Sequence, residues 1–295
     1  MSPQFTIIDA PSILGLRPTG VEFLPDALKA AGLIEKLHAD YTGRVSSPLS
    51  YNSDRDKVTL LLNPNSIKIF SIQLADMVSS VICSRRYPIV LGGDCSILIG
   101  NLLALRRLGR YGLFFIDGHA DFYQPEASLT GEVADMDLAI VSGRGPNILT
   151  NIDNLKPLVR DEDIILFGYR DREQAASFGS QDVRNTSINS FDLAYVKQRG
   201  IRTAASEAIK NILNDELCGF WIHLDADVLD DAIMPAVDYR LKGGLSFCEL
   251  SELLKIIVAT GSSIGMDITI FNPNLDPDGL IARRFVSAVV KGISS

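Results

Sequence analysis

The chain has 295 residues, a formal net charge of −8 at pH 7 and a sequence pI near 5.0. This acidity opposes binding to nucleic acid, and no run of lysine and arginine is long enough to override it. Hydrophobic residues make up 46% of the sequence and aromatic residues only 7%, which favours a parallel sheet buried on both faces over an extracellular β-sandwich. No linker or low-complexity tract divides the chain, so we expect a single domain over residues 1–295.

Cysteine usage and the N-terminus bear on the compartment. The four cysteines lie far apart without a Cys-x-x-Cys pair, so neither a disulfide framework nor a zinc ribbon is indicated. The first residues lack a basic start, and no stretch is expected to reach the roughly 18 apolar residues of a membrane span. We therefore expect a cytoplasmic protein without a membrane partner.

Short β-branched runs alternate with helical patterns along the chain. The predicted strands cover residues 5–8, 88–91, 112–116, 164–167, 219–224 and 263–268. The predicted helices cover residues 25–37, 67–86, 97–108, 204–213, 249–259 and 280–291. This alternation predicts βαβ units and a mostly parallel sheet. The polar stretches 41–55 and 179–190 are expected to be surface excursions.

Ligands of parallel sheets bind outside the carboxyl ends of the strands, where this sequence places two polar clusters. The predicted strand 112–116 is followed by Asp117, His119 and Asp121, and the strand 219–224 contains or precedes His223, Asp225 and Asp227. Alternation puts each triplet on one face. Burying so many uncompensated acids and imidazoles makes sense chiefly around cations, so two clusters imply two metal ions.

A third element follows the predicted strand 88–91. It consists of Gly92-Gly93-Asp94-Cys95-Ser96 and precedes a predicted helix. On its own it predicts a tight turn with Asp94 or Ser96 as the helix N-cap. That structural role is compatible with a second role in binding a ligand.

These three segments, in this order, resemble the Gly-Gly-Asp-His-Ser, Asp-x-His-x-Asp and Asp-x-Asp motifs of the arginase/agmatinase (ureohydrolase) family. The resemblance spans nearly the whole chain, from Gly20-Val21-Glu22 to Asn272-Pro273. It implies the three-layer α/β/α fold of that family, with a mostly parallel sheet. It also implies a binuclear Mn²⁺ hydrolase that releases urea and an amine, assembled as a homo-oligomer, either a trimer or a hexamer.

The resemblance also implies a set of metal ligands. Asp117, Asp121 and Asp225 would bind one ion with the residue at position 95, and Asp117, His119, Asp225 and Asp227 would bind the second. Position 95 departs from the family because Cys95 stands where histidine is usual. A thiolate ligand would make Zn²⁺ or Fe²⁺ more competitive with Mn²⁺, whereas the alternative is that Cys95 only packs.

Two further departures affect the substrate side. Ala134 stands where arginases carry a proton-transfer histidine, and Ile270 stands where they carry the glutamate that binds the guanidinium. We assign catalytic roles to His223, Asp135 and Asp137, with the alternative that His223 only hydrogen-bonds behind the ligands. We assign substrate binding to Glu132, Asp171, Glu173 and Asp238. The segment that contains Asp171 and Glu173 resembles the family's Gly-x-Arg-Asp-x-Asp motif, which implies that these two acids help hold a substrate α-amino group. As an alternative, the loop acids are merely solvated.

The substrate is left open by these departures. The leading hypothesis is an amidinohydrolase for a small-molecule or peptide guanidino substrate, including a modified arginine. The alternatives are an amidine, formimino or hydroxyguanidino substrate, or a non-catalytic subunit with the same fold.

Overall fold

A computed structural model describes residues 4–46 and 50–294. Within these ranges, eight strands form one sheet in the order β2-β1-β3-β8-β7-β4-β5-β6, and every neighbouring pair is parallel. The strands are β1 (Phe5–Asp9), β2 (Asp40–Arg44), β3 (Tyr87–Leu91), β4 (Gly112–Ile116), β5 (Ile164–Phe167), β6 (Asn189–Phe191), β7 (Phe220–Asp225) and β8 (Ser263–Thr269).

Helices cover both faces of this sheet. They are α1 (Leu24–Ala30), α2 (Leu33–Leu37), α3 (Pro64–Cys83), α4 (Leu98–Leu108), α5 (Asp137–Val141), α6 (Asn147–Thr150), α7 (Arg172–Ser177), α8 (Leu193–Arg199), α9 (Ile201–Ile212), α10 (Phe247–Val258) and α11 (Leu280–Ile293). Helices α1, α2 and α8 to α11 contribute to one core, whereas α3 to α6 contribute to the other. The predicted three-layer α/β/α fold is thus confirmed.

The central strands begin and end within one residue of their predicted bounds. The sequence missed β2 and β6, which lie at the two edges of the sheet within or beside the stretches expected to be surface excursions. Edge strands pair on one side only, so they need no continuous apolar run. The predicted helix over 25–37 is two helices, because Gly32 adopts a φ of 87° between α1 and α2.

From the sequence we expect no stretch apolar enough to span a membrane, but helix α3 is such a stretch. By length and composition alone it is apolar enough to cross a membrane, with a mean hydropathy of 1.4. In the fold it packs along α4, and residues such as Phe70, Leu74 and Val78 are buried in the core that both helices share. Its apolar side chains therefore have a place in the packing of the protein itself.

The strand order decides which loops meet. Strands β3, β8, β7 and β4 are consecutive neighbours in the sheet although β3 and β4 are consecutive along the chain. Their carboxyl ends lie at the same edge, so the segments after β3, β4 and β7 converge there. Both polar clusters predicted from the sequence are on these segments.

Candidate metal centre

The turn after β3 is held rigidly against the N-terminal segment. Asp94 accepts hydrogen bonds from Ser12 Oγ at 2.8 Å, from the backbone N–H of Gly15 at 3.2 Å and from that of Ser96 at 2.9 Å. A Cβ atom on Gly93 would lie 1.9 Å from the carbonyl oxygen of Ser12, so only glycine fits this approach. The turn fixes the position of Cys95, the next residue.

Cys95 points into the centre of the site. Its Sγ donates a hydrogen bond to Asp225 Oδ2 at 2.9 Å and lies 3.3 Å from Thr269 Oγ1. Burial raises the pKa of the thiol well above its ordinary value, and the charge of Asp225 adds to the effect. A nearby divalent cation would reverse this balance, because a coordinated thiol loses its proton.

Asp117, His119 and Asp227 form the other half of the site. His119 Nδ1 lies 2.8 Å from Asp227 Oδ2 and 3.7 Å from Asp117 Oδ1. The second oxygen of Asp227 accepts a hydrogen bond from the backbone N–H of Gly118 at 3.0 Å. The loop after β4 and the turn after β7 are therefore tied together through the side chains that the sequence predicted as ligands.

The candidate ligand atoms fall into two groups. The first group contains Cys95, Asp117, His223 and Asp225, and the second contains Asp117, His119 and Asp227. Within each group all ligand atoms lie within 4.8 Å of one another. Asp117 belongs to both groups, as a residue that bridges two ions would. Asp225 belongs only to the first, and Asp121 is buried beside the groups with a left-handed φ of 43°.

Orphaned polar atoms test whether these residues fit metal ions. Asp117 Oδ2, His223 Nε2 and Asp137 Oδ2 are buried without a hydrogen-bond partner among residues 4–46 and 50–294. Buried polar groups are nearly always paired, so several unpaired ones in a single cluster need a ligand to explain them. The combination of carboxylate, imidazole and thiol suits divalent transition metals.

The electrostatics of the cluster also favour a cation. Burial raises the pKa values of Asp121 and Asp225 well above the ordinary range, and repulsion from neighbouring carboxylates raises them further. Burial opposes ionisation of Asp117 too, but the nearby imidazoles of His119 and His223 hold its pKa below the ordinary value. No Lys or Arg among the described residues forms an ion pair with any of these three acids.

A pocket opens directly above the candidate ligands. It is lined by Leu16, Cys95, His119, Asp121, Tyr123, Ala127, Ser128, Leu129, Thr130, Glu132, Ala134, Asp135, Gln174, Phe178, Asp225, Asp227, Asp238, Tyr239 and Ile270. Its floor is acidic, and its walls include the side chains of Leu16, Tyr123, Leu129 and Phe178. This shape suits a ligand with a cationic end and a less polar body.

The three loop acids lie in different surroundings. Glu132 accepts a hydrogen bond from Arg17 Nε at 2.6 Å and another from Tyr239 Oη at 2.5 Å, so its charge is already compensated. Asp137 is completely buried and lies outside the pocket lining. Asp135 lines the pocket, and its Oδ2 accepts a hydrogen bond from Ser128 Oγ at 3.0 Å, while its Oδ1 has no hydrogen-bond partner among the described residues. Burial raises the pKa of Asp135 to about 7, with Glu132 adding to the effect.

The other three acids predicted to bind substrate also differ in their position relative to the pocket. Asp238 lines the pocket and accepts a hydrogen bond from Thr19 Oγ1 at 2.5 Å. Asp171 is buried and accepts a hydrogen bond from the backbone N–H of Ala120 at 3.1 Å, so it supports the loop that carries His119 and Asp121. Glu173 is exposed in the first turn of α7, outside the pocket lining. Of these three acids, the structure brings only Asp238 to the pocket.

Ala134 and Ile270 both line the pocket. Ile270 is only 5% exposed and has a φ of 66°, which is a strained conformation for a β-branched residue. The positions where the ureohydrolase resemblance places a proton-transfer group and a guanidinium-binding acid therefore face the site with apolar side chains.

Two sets of supporting residues were missed by the sequence analysis. Asp267 on β8 binds His223, and it is held in turn by Asn101 and Trp221. Arg17 and Tyr239 neutralise Glu132 from distant parts of the chain. Of these residues, only Asp267 could have been noticed in the sequence, because an acid within an apolar strand needs a polar partner once it is buried. Its partner, His223, could not be identified without the strand order.

Comparison with known proteins identifies the family. The Arginase family profile matches residues 4–293. An arginase of Staphylococcus aureus (strain MRSA252) is 30% identical over 290 residues, covering 96% of this chain and 94% of that protein. Crystal structures of arginases from Bacillus cereus and Bacillus caldovelox, 25% and 26% identical, both align with a TM-score of 0.87. The alignments cover 100% and 99% of this chain, respectively, and 99% of each arginase. The chain therefore belongs to the arginase family, whose members are hydrolases that act on carbon–nitrogen bonds.

Proposed function

We propose that the protein is a binuclear metal-dependent amidinohydrolase that cleaves a guanidino group to urea and an amine. The observation that carries this proposal is the pair of ligand groups sharing Asp117 at the floor of a pocket, with buried ligand atoms left unpaired. Divalent ions bound there would supply the Lewis acidity that makes water nucleophilic near neutral pH. Mn²⁺ is the expected metal from the family resemblance, and the thiol of Cys95 makes Zn²⁺ or Fe²⁺ competitive.

The residues of the chain would orient the substrate above the ions. Asp135 is the best-placed anchor for a cationic guanidinium, because its unpaired oxygen belongs to a side chain that lines the pocket. Glu132 is less suited because Arg17 already occupies it. A charge-assisted hydrogen bond from the substrate to Asp135 would replace the contact that Ile270 cannot make.

The side chains of the pocket walls indicate what kind of group the substrate carries beyond its guanidinium. Phe178 and Leu129 are exposed large apolar residues that line the pocket, and the rings of Tyr123 and Phe178 lie 6.4 Å apart. Glu173, the acid that the resemblance assigned to an α-amino group, is outside the pocket lining. These features favour a modified or peptide-embedded arginine over the free amino acid.

A second candidate function keeps the metal centre and changes the substrate. Ala134 and Ile270 remove two features that the resemblance assigns to guanidinium hydrolysis, and both line the pocket. An amidine or formimino substrate would need fewer hydrogen-bond acceptors around its carbon. Hydrolysis would then give an amide together with ammonia or an amine, in place of urea and an amine.

A substrate screen tests the proposal. Protein loaded with Mn²⁺, and separately with Zn²⁺, would be assayed for urea and ammonia release from arginine, agmatine, guanidino acids, N-blocked arginine peptides and formimino compounds. Urea release from blocked arginines above that from free arginine is the expected result. Ammonia without urea would support the second candidate, and turnover of none of the compounds by fully loaded protein would favour a non-catalytic subunit.

A further inference from the structure

His223 occupies an unusual position at the base of the metal centre. It lies on β7, its side chain is fully buried, and its ring stacks on Phe115 with centroids 4.4 Å apart. Its Nδ1 lies 2.5 Å from Asp267 Oδ2. The other oxygen of Asp267 accepts hydrogen bonds from Asn101 Nδ2 at 3.0 Å and from the indole of Trp221. The orientation of the imidazole is thus fixed on one side.

Asp267 also determines the proton on the ring. A carboxylate accepts a hydrogen bond, so the neutral imidazole carries its hydrogen on Nδ1 and leaves a lone pair on Nε2. An imidazole held by a carboxylate through one nitrogen and presenting the other is the usual arrangement of a histidine that ligates a metal. His223 has this arrangement without being part of the ligand set that the family resemblance implies.

The free nitrogen points at another orphaned ligand atom. His223 Nε2 and Asp117 Oδ2 are 3.8 Å apart, and neither has a hydrogen-bond partner in the part of the chain that the structure describes. This distance is too long for a hydrogen bond. It matches two atoms that share one ion, because ligand atoms about 2.0–2.2 Å from a metal are separated by roughly 3–4 Å.

We propose that His223 Nε2 is a ligand of the first metal ion, together with Cys95, Asp117 and Asp225. The histidine that is usual at position 95 is replaced by cysteine, and the site regains an imidazole from the neighbouring strand. Asp267 is the positioning residue for this imidazole. The resulting nitrogen, sulfur and oxygen donor set favours Zn²⁺, Co²⁺ or Fe²⁺ over Mn²⁺ at this position, while the second position keeps His119 and carboxylates.

This inference rests on the metal-dependent hydrolase proposed above. A cobalt titration distinguishes failure of the inference from failure of that proposed function. Co²⁺ has visible absorption bands that report its ligands, so the metal-free full chain would be titrated and its spectrum recorded. The matched variants are His223→Asn and His38→Asn. His38 is an exposed histidine with a φ of 50°, a conformation that asparagine also tolerates. Metal-free samples would first be compared by circular dichroism and thermal unfolding.

The expected result is about two Co²⁺ ions per chain in wild type and His38→Asn, following two-metal geometry. His223→Asn should weaken one of the two by at least about 10-fold and lose part of the cobalt spectrum. Asp267→Asn should weaken the same ion by about 10–100-fold, since residues that orient a metal ligand have effects of this size.

Other outcomes would overturn the inference. Equal cobalt binding and equal spectra for His223→Asn and wild type would show that His223 does not ligate. One ion in wild type and two in His223→Asn would show that a protonated His223 takes the place of the first ion. No bound cobalt in wild type would overturn the hydrolase proposal itself. If His223→Asn fails to fold, a crystal structure of cobalt-loaded wild type decides, through the presence or absence of His223 Nε2 within about 2.3 Å of an ion.

Discussion

Buried carboxylates at two places along the carboxyl edge of the sheet differ in how their charge is compensated. At the end of β1, Asp9 Oδ2 lies 2.5 Å from Lys29 Nζ and 3.1 Å from an Arg44 nitrogen, and it accepts a hydrogen bond from Tyr41 at 3.2 Å. At the ends of β4 and β7, Asp117, Asp121 and Asp225 have no Lys or Arg ion-pair partner among the described residues.

This difference separates Asp9, an acid balanced by the protein's own cations, from the candidate metal ligands. Asp9 is as buried as Asp117, and its other oxygen also lacks a hydrogen bond, but two cationic side chains balance its charge. Among the described residues, the nearest cationic groups to Asp117 are the imidazoles of His119 and His223, which are themselves candidate ligands. Burial alone therefore does not identify a functional acid; what separates Asp117 from Asp9 is that no Lys or Arg among the described residues forms an ion pair with Asp117.

The largest expected effect comes from Asp225→Asn. Asp225 belongs to the first ligand group, with Cys95, Asp117 and His223. Metal analysis should therefore show loss of the first ion, and turnover should fall by more than about 10³-fold. The metal-free protein should become more stable, because mutual repulsion falls, and each kcal/mol gained would raise Tm by about 2–4 °C. Unchanged metal content would contradict the ligand assignment.

Asp135→Asn tests the proposed substrate anchor. Losing one partner of a buried charge pair costs about 2–5 kcal/mol, so kcat/KM should fall by roughly 30-fold to 5,000-fold with metal content unchanged. Glu132→Gln is the matched control, because Arg17 already occupies that acid, and its effect on kcat/KM should be much smaller. Ile270→Glu should not improve turnover of the true substrate. Wild-type kinetics for Asp135→Asn, with arginase activity created by Ile270→Glu, would show that Asp135 is not the anchor.

Asp9→Asn should affect stability and leave the metal centre intact. Breaking a buried ion pair costs about 3–5 kcal/mol, and the low end applies because Lys29 and Arg44 can reach water. Urea unfolding of metal-free protein would measure the loss. Asp76→Asn removes an exposed partner of Arg107 and should change the free energy of unfolding by less than about 1 kcal/mol. Loss of metal from Asp9→Asn would remove the distinction between Asp9 and the candidate metal ligands.

Cys95 variants give the smallest expected effect. Cys95→Ala should weaken the first ion by about 10-fold, and Cys95→His should retain that ion and favour Mn²⁺ over Zn²⁺. Cys83→Ala, at an exposed cysteine, is the control. Equal metal affinity and preference in all four proteins would show that Cys95 only packs.

The fold was predictable where the sequence pattern is local. Central strands such as β4 and β7 are short apolar runs bounded by polar residues, and their bounds follow from that pattern alone. Strands β2 and β6 were not predictable, because an edge strand needs neither an apolar run nor alternation. The break between α1 and α2 depends on the left-handed conformation of Gly32. It was not predictable, because the apolar residues on both sides of Gly32 keep the spacing of a single helix.

The site was predictable to the extent that its residues follow strands. Asp117, His119, Asp225 and Asp227 are brought together by strand ends that the sequence marks clearly. The partnerships that assign roles are long-range. Glu132 meets Arg17 115 positions earlier, and His223 meets Asp267 44 positions later. Only the strand register and the loop paths place these pairs in contact, so the sequence could not distinguish the compensated acid from the unpaired one.

The central claim is that the uncompensated acids bind divalent ions. Calorimetric titration of the metal-free full chain with Mn²⁺ and with Zn²⁺, repeated in buffers of different ionisation enthalpy, tests it most directly. The account predicts about two ions per chain with release of protons, because carboxyl groups and a thiol held protonated by burial must ionise to bind metal. Absence of metal binding would contradict this claim. Metal binding that releases no protons, and that is unchanged in Asp225→Asn, would contradict it as well.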